Sequence, residues 1–173
     1  MTDILNLPSF ETKRLIFRGP REEDFEAFAE FCASERSAFT GGPFDRAGAR
    51  RLFLAGYGHW LVHGYGLWTT IDKASGAVIG RNGLSHLEGH DAPEMTIYFY
   101  EGHEGAGNGT EVLNFLRQRG RAMGHDWLLA RIAPFNHRSL RLAEAVDAAH
   151  VGDEMTARGP LRVYRFPSLE VAA

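Results

Sequence analysis

Residues 94–111 read EMTIYFYEGHEGAGNGTE, and the fold turns on where that stretch changes period. Over Glu94–Tyr100, Met95, Ile97 and Phe99 share one face while Glu94, Thr96, Tyr98 and Tyr100 share the other, the alternation of a β-strand. A glycine loop, Glu101–Glu111, follows, in which Gly105, Gly107 and Gly109 alternate. Val112, Leu113, Leu116 and Met123 then carry a helix to about Met123. Alternating glycines let the backbone take conformations other residues avoid and approach a ligand closely. The helix opens with amides that have no intrahelical partner, and its positive dipole end faces the loop. Such a junction binds phosphate or pyrophosphate. Single positions exclude two common phosphate motifs. Gly102 and Gly107 have P-loop separation, but Asn108 stands where that loop requires lysine. Gly105 and Gly107 begin a dinucleotide fingerprint, but Thr110 takes its third glycine position. The remaining alternative is a glycine-rich surface turn that binds nothing.

Working outward, Lys13–Arg18 reads as a short first strand. Pro20 suits the first turn of a helix, with Glu22, Glu23 and Asp24 where the dipole favours acids. Phe25, Phe28, Ala29 and Cys32 give that helix one apolar face. Ser34–Phe44 (SERSAFTGGPF) reads as a loop. Asp45 can cap a second helix to about Val62, although Gly56 and Gly58 each cost ~1 kcal/mol against alanine in a helix interior. Strands over Tyr65–Asp72 and Ala77–Leu87 are joined by a turn at Lys73–Gly76. After the glycine loop and its helix come a strand, Trp127–Ala133, a helix over about Asn136–Val146 and a last strand, Leu161–Phe166. Hairpins first and a strand–helix–strand unit later predict an α+β fold with a mixed central sheet, in one domain over residues 1–173.

The chain has 173 residues, 44% of them hydrophobic, enough to build a core. Its 19 Lys and Arg against 22 Asp and Glu give a net charge of −3, which offers no reason to seek nucleic acid. Cys32 is the only cysteine, so no internal disulfide forms and a reducing, cytoplasmic compartment is expected. Beside Phe25, Phe28 and Phe31 that thiol reads as a small core hydrophobe. Met1–Pro8 lacks the basic and apolar regions of a signal peptide. Nothing approaches the roughly 20 apolar residues of a membrane span. The cluster HLEGHD (His86, Glu88, His90, Asp91) reads as a hairpin tip, and His59 with His63 lacks a third ligand, so no metal is expected.

Together these residues resemble GNAT N-acetyltransferases, the RimJ/RimL-like members in particular. That family shows a strand bearing Glu, then G-x-G-x-[AG]-T-E-A opening a helix. Glu94, Gly105, Gly107, Gly109, Thr110 and Glu111 fall in that register, with Val112 in place of the final alanine. A second family motif, N-x-x-S-x-R-x-A-E, is matched by Asn136, Ser139, Arg141, Ala143 and Glu144. The opening ETKRLIFR (Glu11–Arg18) and the stretch Val78–Gly83 are similar too, so the likeness spans about residues 9–166. It implies a GNAT-like, mainly antiparallel sheet flanked by helices, with acetyl-CoA as cosubstrate. Backbone amides of Gly105, Ala106, Gly107, Asn108, Gly109 and Thr110 would hold its pyrophosphate. Tyr98, Phe99 and Tyr100 would offer backbone groups to the pantetheine arm where two parallel strands splay. Asn136 would bond the pantetheine region with Ser139 close by; a helix cap is the other reading of this pair. The sequence departs from the family at three places. Glu104 replaces the usual Arg or Gln at the loop entrance, which weakens cofactor binding unless the side chain turns outward. Asp147-Ala148 replaces Gly-Phe, and Ala143 stands where many relatives carry a tyrosine general acid.

Acetyl transfer to an amine needs positioning, worth effective molarities of ~10⁵–10⁸ M in well-oriented reactions, together with polarisation of the thioester carbonyl and a base for the amine proton. The resemblance implies Glu94 as that base, and leaves solvent or Ser139 to protonate the leaving thiolate. The other reading of Glu94 is a carboxylate that orders nearby backbone or pairs with Arg81. The acceptor is a primary amine, on a small molecule or a protein N-terminus, in a pocket expected between Ser34–Phe44 and the Glu94 face. No membrane or nucleic-acid partner is expected, and a homodimer is allowed. A domain that binds coenzyme A without turnover is the alternative function.

Overall fold

Two kinds of segment build the chain: short antiparallel strands with apolar alternation, and helices whose apolar faces cover them. The structure is a computed structural model and describes residues 6–169. Residues 1–5, and with them most of the Met1–Pro8 reading, lie outside the described residues. The chain divides into two compact units, one holding residues up to Gly83 together with Ile97–Asn108, the other Leu84–Thr96 together with Gly109 onward.

The first unit contains β1 (Phe10–Glu11), β2 (Leu15–Arg18), α1 (Phe25–Ala33), α2 (Arg46–His63) and β3 (Leu67–Asp72). It also holds the start of β4 (Val78–Ser85) and the end of β5 (Glu94–Phe99). β1, β2, β3 and β4 pair antiparallel in sequence order, with Phe17 opposite Thr70 and Thr69 opposite Arg81. Asp45 caps α2 as the sequence predicts, its carboxylate accepting the Gly48 N–H at 2.6 Å. Gly56 has a use that offsets its cost to the helix: a Cβ there would lie 2.9 Å from the Arg81 guanidinium. Phe25, Phe28, Phe31, Cys32, Ala49, Phe53 and Tyr100 form the core, each large side chain contributing ~1.5–3 kcal/mol by leaving water. Beneath them Arg18 holds the buried Asp24 through two 2.7 Å bonds, with the Thr69 hydroxyl donating at 2.7 Å.

The second unit contains α3 (Asn108–Ala122), whose first residue belongs to the first unit, with β6 (Trp127–Ile132), α4 (His137–Glu144), β7 (Ala149–Thr156) and β8 (Gly159–Pro167). β8 pairs antiparallel with both β6 and β7. β5 and β6 run parallel, meeting with Glu94 opposite Leu129. Among the described residues the strands make an eight-stranded sheet in the order β1-β2-β3-β4-β5-β6-β8-β7. It is mixed and mainly antiparallel, as the sequence predicts.

Three expectations need correction. Ser34–Phe44 is not all irregular: Glu35–Thr40 winds into a 3₁₀ helix, closed by Gly41 at φ 98°. The glycine loop ends earlier than Glu111, because α3 begins at Asn108 and includes Gly109 and Thr110. β1 and β7 are absent from the sequence reading; β7 is exposed on both faces over most of its length and so carries little hydrophobic alternation.

Candidate active site

The glycine turn is shaped by backbone alone. Gly105 and Gly107 sit at φ 83° and 80°, the left-handed region that costs an L-residue roughly 1–2 kcal/mol. The turn delivers the chain into the first turn of α3, whose opening amides have no helical acceptor. Among the described residues, none of the backbone N–H groups of Gly105, Ala106, Gly107, Asn108, Gly109 or Thr110 donates to a loop, turn or side-chain acceptor. The Asn108 side chain turns inward and donates to the His103 carbonyl at 3.3 Å. Two arginines outside the motif reach this turn. Arg14, just before β2, donates to the Ala106 carbonyl. Arg36, on the 3₁₀ helix, forms an ion pair with Glu104. The negative charge that the sequence places at the loop entrance therefore has a cationic partner.

At the end of β5, the N–H of Tyr98 donates to the Asn82 side-chain oxygen at 2.9 Å, and that of Tyr100, just past the strand, to the Ile79 carbonyl at 2.8 Å. Strand geometry then turns the N–H and C=O of Phe99 to the opposite edge, where Arg36 donates to the Phe99 carbonyl at 3.3 Å. The Tyr98 ring stacks on Phe31 with centroids 4.5 Å apart. Burial pushes the Tyr98 phenol up to about 12 and moves Tyr100 further in the same direction. Both phenols stay neutral at ordinary pH. Burial likewise pushes the Cys32 thiol up to about 11, against a small opposing effect of Arg81, so it remains an inert core thiol.

Glu94 is one-sixth exposed at most and is gripped by Arg131, Nε to Oε1 at 2.9 Å and a terminal nitrogen to Oε2 at 3.2 Å. The fork-on-carboxylate geometry fixes orientation as well as charge. Arg131 extends to Glu154 at 3.5 Å, and Glu154 meets His90 at 3.1 Å. Hydrogen bonding to Glu94 raises the Arg131 pKa, only partly opposed by burial. Glu94 pairs with Arg131 and not with Arg81, the partner named in the alternative reading of this carboxylate. Arg81 lies buried with its guanidinium 4.7 Å from the Phe28 ring centroid and 5.1 Å from that of Phe53. His90 and Glu154 also line a cavity of about 240 Å³ with Asp91 and Arg165, below the ~300–1,000 Å³ usual for a ligand pocket.

Asn136 caps α4: its side-chain oxygen accepts the Ser139 N–H at 3.2 Å. Ala143 is buried. His86 meets Glu88 at 3.5 Å, and the His59 Nδ1–H donates to the Tyr65 carbonyl at 2.7 Å. No group of three or more His, Cys, Asp or Glu suited to a metal ion occurs among the described residues.

The sequence reading missed Arg14, Arg36 and Arg131. Arg131 alone left a trace, as a charge inside the apolar run WLLARI; the parallel register that brings it to Glu94 has no local signal.

Residues 14–148 match the family model of the acetyltransferase (GNAT) domain. The chain is 28% identical to an acetyltransferase from Agrobacterium tumefaciens, with a TM-score of 0.80 over 96% of this chain and 98% of that one. RimL, a ribosomal L7/L12 alpha-N-protein acetyltransferase solved with coenzyme A, is 13% identical, with a TM-score of 0.74 over 92% and 98% of the two chains. The yncA protein of Salmonella typhimurium, solved with its cofactor acetyl-CoA, is 19% identical, with a TM-score of 0.67 over 93% and 98%.

Proposed function

Because this chain belongs to the GNAT acetyltransferase family, we propose that it moves an acetyl group from acetyl-CoA to a primary amine by direct attack on the thioester. The observation that supports this most is the row of backbone amides from Gly105 to Thr110 with no loop or side-chain acceptor among the described residues. Carried on two left-handed glycines at the mouth of a 15-residue helix, they are donors at the positive end of a helix, the setting that favours a diphosphate. We assign the pyrophosphate of coenzyme A to Gly105, Ala106, Gly107, Asn108, Gly109 and Thr110. We assign pantetheine contacts to Asn136 and to the β5 backbone at Tyr98, Phe99 and Tyr100, Phe99 presenting both its groups to the edge away from β4.

In the proposed reaction the amine attacks as the free base, a C–N bond forms as the C–S bond breaks, and one proton leaves the nitrogen while one reaches the thiolate. Glu94 takes the amine proton through a water, since both its oxygens are already bonded to Arg131. Solvent or Ser139 supplies the thiolate, given that position 143 is alanine. The acceptor is a small-molecule amine or a protein N-terminus, the latter being the substrate in RimL's description. We assign the whole chain to one such domain, working in the cytoplasm; no helix among the described residues is long and apolar enough to cross a membrane.

Ala143 and the fully engaged Glu94 carboxylate favour a second reading, a module that holds coenzyme A without turnover. Thiol release from acetyl-CoA across a panel of amines separates the two. Amine-dependent release supports the enzyme; tight binding of coenzyme A with no release on any amine supports the module.

A further inference from the structure

Given the cofactor site proposed above, we infer that Arg36 is a cofactor-binding latch: Glu104 holds its guanidinium in place of the diphosphate, and coenzyme A draws it across. The residue at the loop entrance, Glu104, is a carboxylate. Left alone, Glu104 would repel the anion that the neighbouring amides attract. The fold answers with a cation from a distant part of the sequence. Arg36 rises from the Glu35–Thr40 3₁₀ helix, forms an ion pair with Glu104 and donates at 3.3 Å to the Phe99 carbonyl.

Both of its partners belong to the cofactor path. Glu104 immediately precedes Gly105, and Phe99 is the β5 residue whose backbone faces away from β4. Arg36 therefore bridges the end of the cofactor strand and the start of the phosphate turn. Its side chain is one-third exposed and that of Glu104 one-fifth, so part of the pair is open to solvent. A guanidinium prefers a diphosphate to a carboxylate on charge alone and can bond it through two parallel N–H groups. Exchanging Glu104 for the diphosphate keeps the cation paired throughout. Arg14, already bonded to the Ala106 carbonyl, holds the turn from its other side while this happens.

The test is titration calorimetry of the full chain with coenzyme A and with pantetheine, which lacks the diphosphate. Wild type, Arg36→Gln, Glu104→Gln and the double variant are compared, each checked for an unchanged melting curve. Arg36→Gln should weaken coenzyme A roughly tenfold, the value of one charge-assisted hydrogen bond, and leave pantetheine unchanged. Glu104→Gln should tighten coenzyme A several-fold, and the gain should be smaller in the double variant than in wild type, because without Arg36 only the direct repulsion of the diphosphate is relieved. If Arg36→Gln proves unstable, the Glu104→Gln arm decides alone: no gain in coenzyme A affinity overturns the latch. So do equal losses for coenzyme A and pantetheine, or a Glu104→Gln gain that is the same with and without Arg36. Wild-type protein that binds no coenzyme A would overturn the cofactor assignment itself, a result distinct from an indifferent Arg36→Gln.

Discussion

Replacing Gly107 with alanine tests whether the turn's backbone shape is required. The residue sits at φ 80°, and a Cβ there would lie 3.2 Å from the Arg14 guanidinium. The left-handed conformation alone costs an L-residue roughly 1–2 kcal/mol. For a chain of this size each kcal/mol lowers Tm by ~2–4 °C, so strain accounts for a fall of roughly 2–8 °C. Gly105→Ala is the internal control: its φ is 83° but nothing lies within 4 Å of the added carbon. It carries the strain without the crowding of Arg14, so Gly107→Ala should be the more costly of the two. If either turn instead relaxes to negative φ, Tm recovers but the amides rotate away and coenzyme A binding falls. Differential scanning fluorimetry with and without coenzyme A reads both quantities, because binding to the native state raises Tm. Gly107→Ala with unchanged Tm and unchanged coenzyme A response would falsify the claim that this backbone shape matters.

Three other expectations follow from the same packing. Asp24→Asn leaves the Arg18 guanidinium without its carboxylate in a buried setting, and should cost about 3–5 kcal/mol at neutral pH in a denaturant titration. Burial raises the Asp24 pKa, but bonds from Arg18, the Arg21 N–H and Thr69 outweigh it and lower the pKa overall; wild-type stability from this site is thus full above the unfolded value near ~3.9 and lost as pH falls through the lower folded value, and the variant's acid limb should be flatter. Glu94→Gln should reduce kcat while sparing coenzyme A binding, and Arg131→Gln should shift the pH–rate profile; unchanged activity in Glu94→Gln removes that residue from the mechanism. Iodoacetamide at pH 7.5 should leave Cys32 unmodified in the native protein and modify it readily in denaturant, since a thiol pushed up to about 11 is almost wholly protonated there.

The local signals were legible in the sequence and the distant ones were not. The change from alternating to helical period around residues 94–123 located β5, the turn and α3, and the Asx residue before Arg46 located the α2 cap. β7 escaped because an edge strand exposed on both faces needs no apolar period. The 3₁₀ helix at Glu35–Thr40 escaped because Ser, Gly and Pro read as loop whether or not a short turn of helix intervenes. Arg36 and Arg131 are informative only beside Glu104 and Glu94, 68 and 37 residues away along the chain. Sequence separation of that size carries no periodic trace, so the charges that complete the site appear only once the chain is folded.

In the proposed site the amides of 105–110 receive a diphosphate. Titrating ¹⁵N-labelled protein with coenzyme A and following amide resonances addresses it directly. Saturable downfield shifts concentrated on Gly105 to Thr110, absent with pantetheine, are the expected result. Coenzyme A binding that leaves those resonances in place would contradict it.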